Sequence, residues 1–283
     1  MNVASLKRSR PLRRTAVAGA GVLALTAAGV FTFGASASAT ASHNTRPKPT
    51  IVLVHGAFED ASSWDGVIQR LQKAGYPVVA PANPLNAVAS DAAYLRSVVD
   101  HIQGNVILVS HSYGGEIIGQ AGANDSKVKA LVYAAALIPA VGENANQLLT
   151  QFPGSTLPDA LDPVPYTLPD GTTGTDLFVK ADKYRQQFAS DVPANRAALM
   201  EATQRPIDQA ALGENVTAAA WTNVPSWDVI TNQDPNIPPA AQEFMAKRAH
   251  AHITKVNSSH SVAVSHPDVV TTVIEQAAAA TTK

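Results

Sequence analysis

Residues 105–121 read Asn-Val-Ile-Leu-Val-Ser-His-Ser-Tyr-Gly-Gly-Glu-Ile-Ile-Gly-Gln-Ala. Asn105 to Val109 is a short apolar, β-branched run, which predicts a strand covered on both faces. Glu116 to Ala121 reads as helix. Between them stand Ser110-His111-Ser112-Tyr113-Gly114-Gly115. A tight strand–turn–helix flanked by small residues lifts its central side chain clear of the backbone, the G-x-S-x-G nucleophile elbow. Ser110 replaces the first glycine, and Gly114 lets the helix approach the strand. Ser112 is therefore the candidate nucleophile.

Strand and helix alternate outward from this stretch. Thr50 to Val54 predicts the first strand, followed by a helix over 62–74 with Trp64, Val67, Ile68 and Leu71 at helical spacing. A strand over 76–80, a helix over 90–102 and a strand over 128–137 continue the series. The rhythm returns with strand 226–231, helix 239–249, strand 253–256 and helix 267–279. Such alternation predicts a three-layer α/β architecture around a parallel sheet. From about 139 to 224 the pattern breaks, with prolines at 153, 158, 163, 165 and 169. Asp170-Gly171 predicts a hairpin, and 196–203 and 208–212 read as helices. This segment is expected to be a cap inserted over the sheet edge. No repeat of 20–50 residues occurs, which disfavours solenoids and propellers.

The 283-residue chain contains no cysteine, which removes disulfides, thiolate nucleophiles and thiolate metal sites. A net charge of −1 offers no basic surface for nucleic acid. The charge is uneven. Lys7, Arg8, Arg10, Arg13 and Arg14 precede an apolar stretch from Ala16 to Phe33 and the small-x-small run Ala37-Ser38-Ala39. This predicts an export signal over 1–39 and a polar linker over 40–49. The Arg13-Arg14 pair suggests the twin-arginine route. From Thr40 onward, 16 of the 21 basic residues face all 22 acidic ones, so the exported protein is mildly acidic.

A serine hydroxyl needs a base within hydrogen-bond reach to attack. Of the eight histidines, His43 falls in the linker, His101 ends a helix, and His250 and His252 flank a strand start. His111 adjoins Ser112 and should be turned elsewhere by the elbow. His266 precedes Pro267 at a helix start, and His55 is expected to brace the loop after the first strand. His260 follows the last predicted strand, in the carboxyl-end loops where α/β catalysts gather. Fifteen acidic residues lie between Ser112 and His260. Asp234, just past strand 226–231 on the same edge, is the candidate to orient the imidazole; Asp228 and Glu143 are the fallbacks. The second oxyanion segment should follow the first strand. His55-Gly56-Ala57-Phe58 sits there, giving the N–H of Ala57 (fallback Phe58) together with that of Tyr113.

With these motifs together, the chain resembles an α/β-hydrolase from residue 49 to about 280. The order Ser112, Asp234, His260 is that superfamily's order. His55-Gly-Ala-Phe58 with Ser63-Trp64, Gln204-Arg-Pro206, Pro225-Ser-Trp227, Ile237-Pro-Pro239 and the run Ser259 to Pro267 look like one branch. That branch holds small bacterial esterases similar to pyrethroid hydrolases and is related to plant methylesterases and hydroxynitrile lyases. The resemblance implies a three-layer α/β-hydrolase fold whose mostly parallel sheet has about six strands and begins at the oxyanion strand.

The reading that follows is an exported serine hydrolase of carboxylic esters, needing no cofactor or metal. Its partner is a small-molecule ester, with no nucleic acid and no stable membrane association after leader cleavage. The cap should supply an apolar pocket from among Leu148, Leu149, Phe152, Leu177, Phe178, Phe188 and Leu199. Hydroxynitrile-lyase-like or cofactor-free perhydrolase chemistry on the same triad is an alternative. A lyase of that group has threonine after the oxyanion-loop histidine and a pocket lysine, where this chain has Gly56 and no lysine beside His260. A non-catalytic ligand-binding protein and a structural cell-surface protein are the others; the latter has only the leader in its favour.

Overall fold

Six parallel strands form the central sheet of the computed structural model, which describes residues 47–281. In chain order the elements begin with β1 (Thr50–Val54), α1 (Asp65–Lys73), β2 (Val78–Val79), α2 (Val88–His101) and β3 (Val106–His111). They continue with α3 (Gly114–Ala121) and β4 (Val128–Ala134). The closing elements are β8 (Ser226–Thr231), α8 (Pro239–Arg248), β9 (His252–Val256), α9 (Val262–Ser265) and α10 (Pro267–Thr281). The sheet order is β2-β1-β3-β4-β8-β9, and every pairing is parallel. After β1 the chain moves to one side for β2 and then to the other for β3. The strand order therefore reverses between β1 and β3, where a crevice opens at the carboxyl ends.

Both faces are buried. Val52, Val54, Leu108, Leu131 and Tyr133 face one apolar cluster, closed by residues of α2, α3 and α8. Ile51, Leu53, Ile107, Val109 and Val132 face the other, closed by α1 and α10. Burying each such side chain contributes about 1.5–3 kcal/mol, and this is the physical content of the continuous apolar runs.

Between β4 and β8 lies the inserted segment. It contains α4 (Ala145–Gln151), α5 (Leu157–Ala160), β5 (Leu161–Thr167), β6 (Thr173–Val179), α6 (Ala181–Phe188), α7 (Ala194–Ala202) and β7 (Ile207–Asp208). β5, β6 and β7 make a small antiparallel sheet. The hairpin turn falls at Asp170-Gly171, with Gly171 at φ +86° and its N–H donating to Leu168.

Three local expectations change. The strand over 76–80 shrinks to Val78–Val79, because Pro77 and Pro81 bracket it and cannot donate to a ladder. The strand over 128–137 ends at Ala134, since Ala135 takes a left-handed φ of +47°. Residues 208–212 are not an α-helix: Ile207–Asp208 pairs with β6, and the Asp208 carboxylate caps the following 3₁₀ turn through the Ala210 N–H (2.7 Å). The expected leader and most of the linker, residues 1–46, lie outside the described residues. Among the described residues no helix is long and apolar enough to cross a membrane.

Candidate active site

The elbow sits at the carboxyl end of β3, beside the strand reversal. Ser112 adopts φ +52°, a left-handed conformation that costs a non-glycine residue of order 1–3 kcal/mol unless its surroundings impose it. Here they do. The Ser112 carbonyl accepts from Gly115 (3.0 Å) and from Leu137 (3.1 Å). A Cβ on Gly115 would stand 2.0 Å from the Leu137 carbonyl oxygen, and one on Gly56 would stand 2.6 Å from Ser112 Cβ. Both glycines let neighbouring backbones close around the serine. Ser110 fills the place of the usual first glycine, fully buried, and its hydroxyl has no partner among the described residues.

His260 lies in the buried loop between β9 and α9. Its Nδ1 is 2.7 Å from Asp234 Oδ2. Asp234, in the loop after β8, also accepts on Oδ2 from Thr231 Oγ1 and Gln242 Nε2, both at 3.0 Å. Its Oδ1 accepts from the N–H groups of Asn236 (2.8 Å) and Ile237 (3.1 Å). Every contact of this carboxylate is a donor. An Nδ1–H given to Asp234 leaves Nε2 as the lone pair of the His260 ring.

The fallback acids stand elsewhere. Asp228 is buried inside β8, in register with Tyr133 and without a partner among the described residues, and burial pushes its carboxyl well above the carboxylate range. Glu143 grips Arg248 with two contacts of 2.7 Å; although burial opposes ionisation, this pairing holds its carboxyl below the usual value.

Ser112 and His260 line one narrow cavity. Ala57, Phe58 and Tyr113 stand at its wall, with Leu137, Leu149, Leu157, Phe188, Leu212 and Ile237 making it apolar. Phe58 donates its N–H to the Arg205 carbonyl (2.9 Å), so the fallback donor is engaged. The N–H groups of Ala57 and Tyr113 have no partner among the described residues. Of the residues expected to line a cap pocket, Leu149 and Phe188 do so; Leu148 and Leu177 are cap core, and Leu199 is 58% exposed. Leu199 faces out because α7 packs through Ala197 and Met200 instead. Two broader surface depressions, over residues 122–129 with 218–224 and around Tyr166 and Asp208, contain neither Ser112 nor His260.

Two supports escaped the sequence reading. His111 turns away from the cavity, as expected, but its Nδ1 meets Glu59 Oε1 at 2.5 Å and its Nε2 meets the His260 carbonyl at 2.9 Å. With Glu59 ionised both ring nitrogens face acceptors, which a doubly protonated imidazole satisfies. Burial favours the neutral ring, yet Glu59 outweighs it and raises the His111 pKa; burial likewise opposes ionised Glu59, and His111 wins there too, lowering it. Glu59 also accepts from the Gly56 N–H (3.0 Å). His55 braces the same loop as expected, its ring set between the Gly56 carbonyl (2.8 Å) and the Asn83 N–H (2.9 Å).

The second support comes from the cap. Asp191 accepts from Ser258 Oγ (2.9 Å), from the Ser259 N–H (3.1 Å) and from the Ser259 hydroxyl. The Phe188 carbonyl accepts from the Ser261 N–H (3.1 Å) and hydroxyl (2.8 Å), and the Phe188 ring stands edge-on to His260 at 4.9 Å. Neither partner could be paired from sequence, because each lies about 70 residues from the loop it holds.

Among the described residues no group of three or more His, Cys, Asp or Glu side chains could hold a metal ion.

The Alpha/beta hydrolase family model matches residues 51–273. An alpha/beta hydrolase of Aspergillus novofumigatus, nvfD, is 26% identical over 254 residues, covering 82% of this chain and 97% of that protein. The pyrethroid hydrolase of Sphingobium wenxiniae is 30% identical over 157 residues, covering 50% of this chain and 55% of its own. Among solved structures, polyneuridine aldehyde esterase superposes with a TM-score of 0.71 at 19% identity, over 81% of this chain and 99% of that one. At that identity the likeness speaks to the fold.

Proposed function

The chain belongs to the alpha/beta hydrolase family, and from that premise we propose that it is an exported serine hydrolase cleaving carboxylic esters. Its esterase-like relatives support ester hydrolysis in general. One observation carries the finer reading. A serine held at φ +52° shares a cavity with a histidine whose Nδ1 is tied to a carboxylate saturated by donors.

In this reading Ser112 Oγ attacks the ester carbonyl carbon and passes its proton to His260 Nε2. Asp234 keeps the ring oriented and offsets the imidazolium charge. The tetrahedral oxyanion accepts from the Ala57 and Tyr113 N–H groups, each such donor being worth about 3 kcal/mol to the transition state. The carbonyl reforms as the alcohol departs with the proton from Nε2, leaving acyl-Ser112. Water then attacks the acyl carbon, giving its proton to Nε2, and the Ser112 oxygen takes that proton back as the acid leaves.

Labelling with a fluorophosphonate tests the assignment. The wild type should be labelled stoichiometrically and should hydrolyse p-nitrophenyl esters, and Ser112→Ala should do neither. A wild type that takes no label and turns over no ester would end the hydrolase reading. Export is supported by the charged, apolar and small-residue order of 1–39. Intact mass of the secreted protein should correspond to a chain starting near Thr40, and retention of Met1 at the membrane would refute it.

A further inference from the structure

The cavity that holds Ser112 and His260 has one polar wall residue with unspent capacity. Asn236 is 1% exposed and lines the cavity. Its backbone is fully used: the N–H donates to Asp234 and the carbonyl accepts from Ser155 Oγ (2.8 Å). Its amide orientation is fixed by a relay from the cap. The Pro235 carbonyl can only accept, so the Gln187 atom 3.2 Å from it must be Nε2. Thr156 Oγ1 donates to the other end of the same amide, at 3.0 Å. The Gln187 amino group must then meet an acceptor on Asn236, which is Oδ1 at 2.7 Å. What remains is the Asn236 Nδ2 amino group, which is buried and has no partner. A buried donor without an acceptor has lost its hydration uncompensated, a penalty that a bound acceptor would remove.

We propose that Asn236 is a specificity-determining donor, and that the substrate is an uncharged ester carrying a second acceptor oxygen, an ether, ketone or further ester carbonyl, held by Asn236 Nδ2. The inference rests on the esterase reading above and names its substrate class. No lysine or arginine lines the cavity, so a carboxylate there would be buried without a counter-charge. Apart from Ser112, His260 and Tyr113, the rest of the wall is apolar, which suits a short hydrocarbon body interrupted by one oxygen.

Two isosteric ester pairs test this: butyl against 2-methoxyethyl acetate on the alcohol side, and ethyl pentanoate against ethyl 3-methoxypropanoate on the acyl side. All kcat/KM values are normalised to hydroxide-catalysed rates. In at least one pair the wild type should favour the ether-bearing ester by roughly tenfold, about one hydrogen bond. Asn236→Leu should bring that ratio near unity. Asn236→Asp keeps an acceptor for Gln187 while losing the donor, and should lose the preference as well. Ratios near unity in both wild-type pairs, or a preference surviving both substitutions, would overturn the proposal. The wild-type ratios decide even if a variant fails to fold. Turnover of the all-carbon esters alone would sink this inference and leave the esterase reading standing; turnover of none of the four would sink it too, and would remove the esterase reading only where fluorophosphonate labelling also failed.

Discussion

Glu59 and His111 form a buried ion pair, Oε1 to Nδ1 2.5 Å, that joins the loop after β1 to the loop carrying His260. One carboxylate oxygen holds Nδ1 and the Gly56 N–H together, while Nε2 of the same ring reaches the His260 backbone. His260 and the turn carrying Ala57 are thus both tied to one buried ring.

Breaking that pair should destabilise the protein in a pH-dependent way. His111 is raised from its ordinary 6.5, so its contribution is complete below that value and lost as pH climbs through the raised folded pKa. Glu59 is lowered from 4.5, so its contribution is complete above that value and lost as pH falls through the depressed folded pKa. Glu59→Gln should therefore cost about 3–5 kcal/mol near pH 6. Thermal melts from pH 5 to 10 should show the deficit shrinking on the alkaline side; a deficit independent of pH would contradict the imidazolium.

Asp234→Asn should keep the fold and lower kcat by about 10³–10⁴-fold, because an amide can present the wrong group to His260 Nδ1. Asp228→Asn is the control and should retain activity. It should also stabilise the protein. A carboxyl raised in the folded state contributes stability below its unfolded value, near 4, and loses it as pH rises toward the folded pKa. The gain from Asp228→Asn should grow as pH rises from about 4 toward the raised folded pKa, by at most about 1.4 kcal/mol per pH unit, and then level off, measured by urea unfolding at several pH values.

The two small residues flanking the elbow should respond oppositely to alanine. Gly115→Ala places a Cβ 2.0 Å from the Leu137 oxygen and should cost about 3 kcal/mol or more, with loss of fluorophosphonate labelling. Ser110→Ala removes a buried hydroxyl with no partner and should gain about 1 kcal/mol with labelling intact.

Asp191→Ala removes the carboxylate that holds Ser258 and Ser259. On the proposed mechanism it should lower kcat by roughly tenfold with little change in KM, since it displaces His260 and leaves the cavity wall in place.

The sheet, the elbow and the two loops past β8 and β9 were legible because each rests on local pattern: a continuous apolar run, small residues around Ser112, a polar loop at a strand's carboxyl end. Ser112, His260 and Asp234 come together at or beside one cavity on those grounds. Glu59, Asp191 and Asn236 were not legible. Glu59 is 52 residues from His111, Asp191 is 68 from Ser259, and Asn236 is 49 from Gln187, so nothing in their neighbourhoods marks them. Leu199 erred for a related reason. Apolar spacing on a short helix leaves open which side packs, and α7 settled on Ala197 and Met200.

The hydrogen bonds from Phe188 and Asp191 to residues 258–261 have a consequence for how this protein can be remade. The inserted segment is fastened to the loop that carries His260, so it is a strut of that loop more than a door in front of the cavity. Exchanging residues 139–224 for a relative's insertion would transplant part of the cavity wall and remove the scaffold of His260 in one cut. A chimera that keeps its chemistry would have to carry the 257–266 loop across with the insertion, as a matched set.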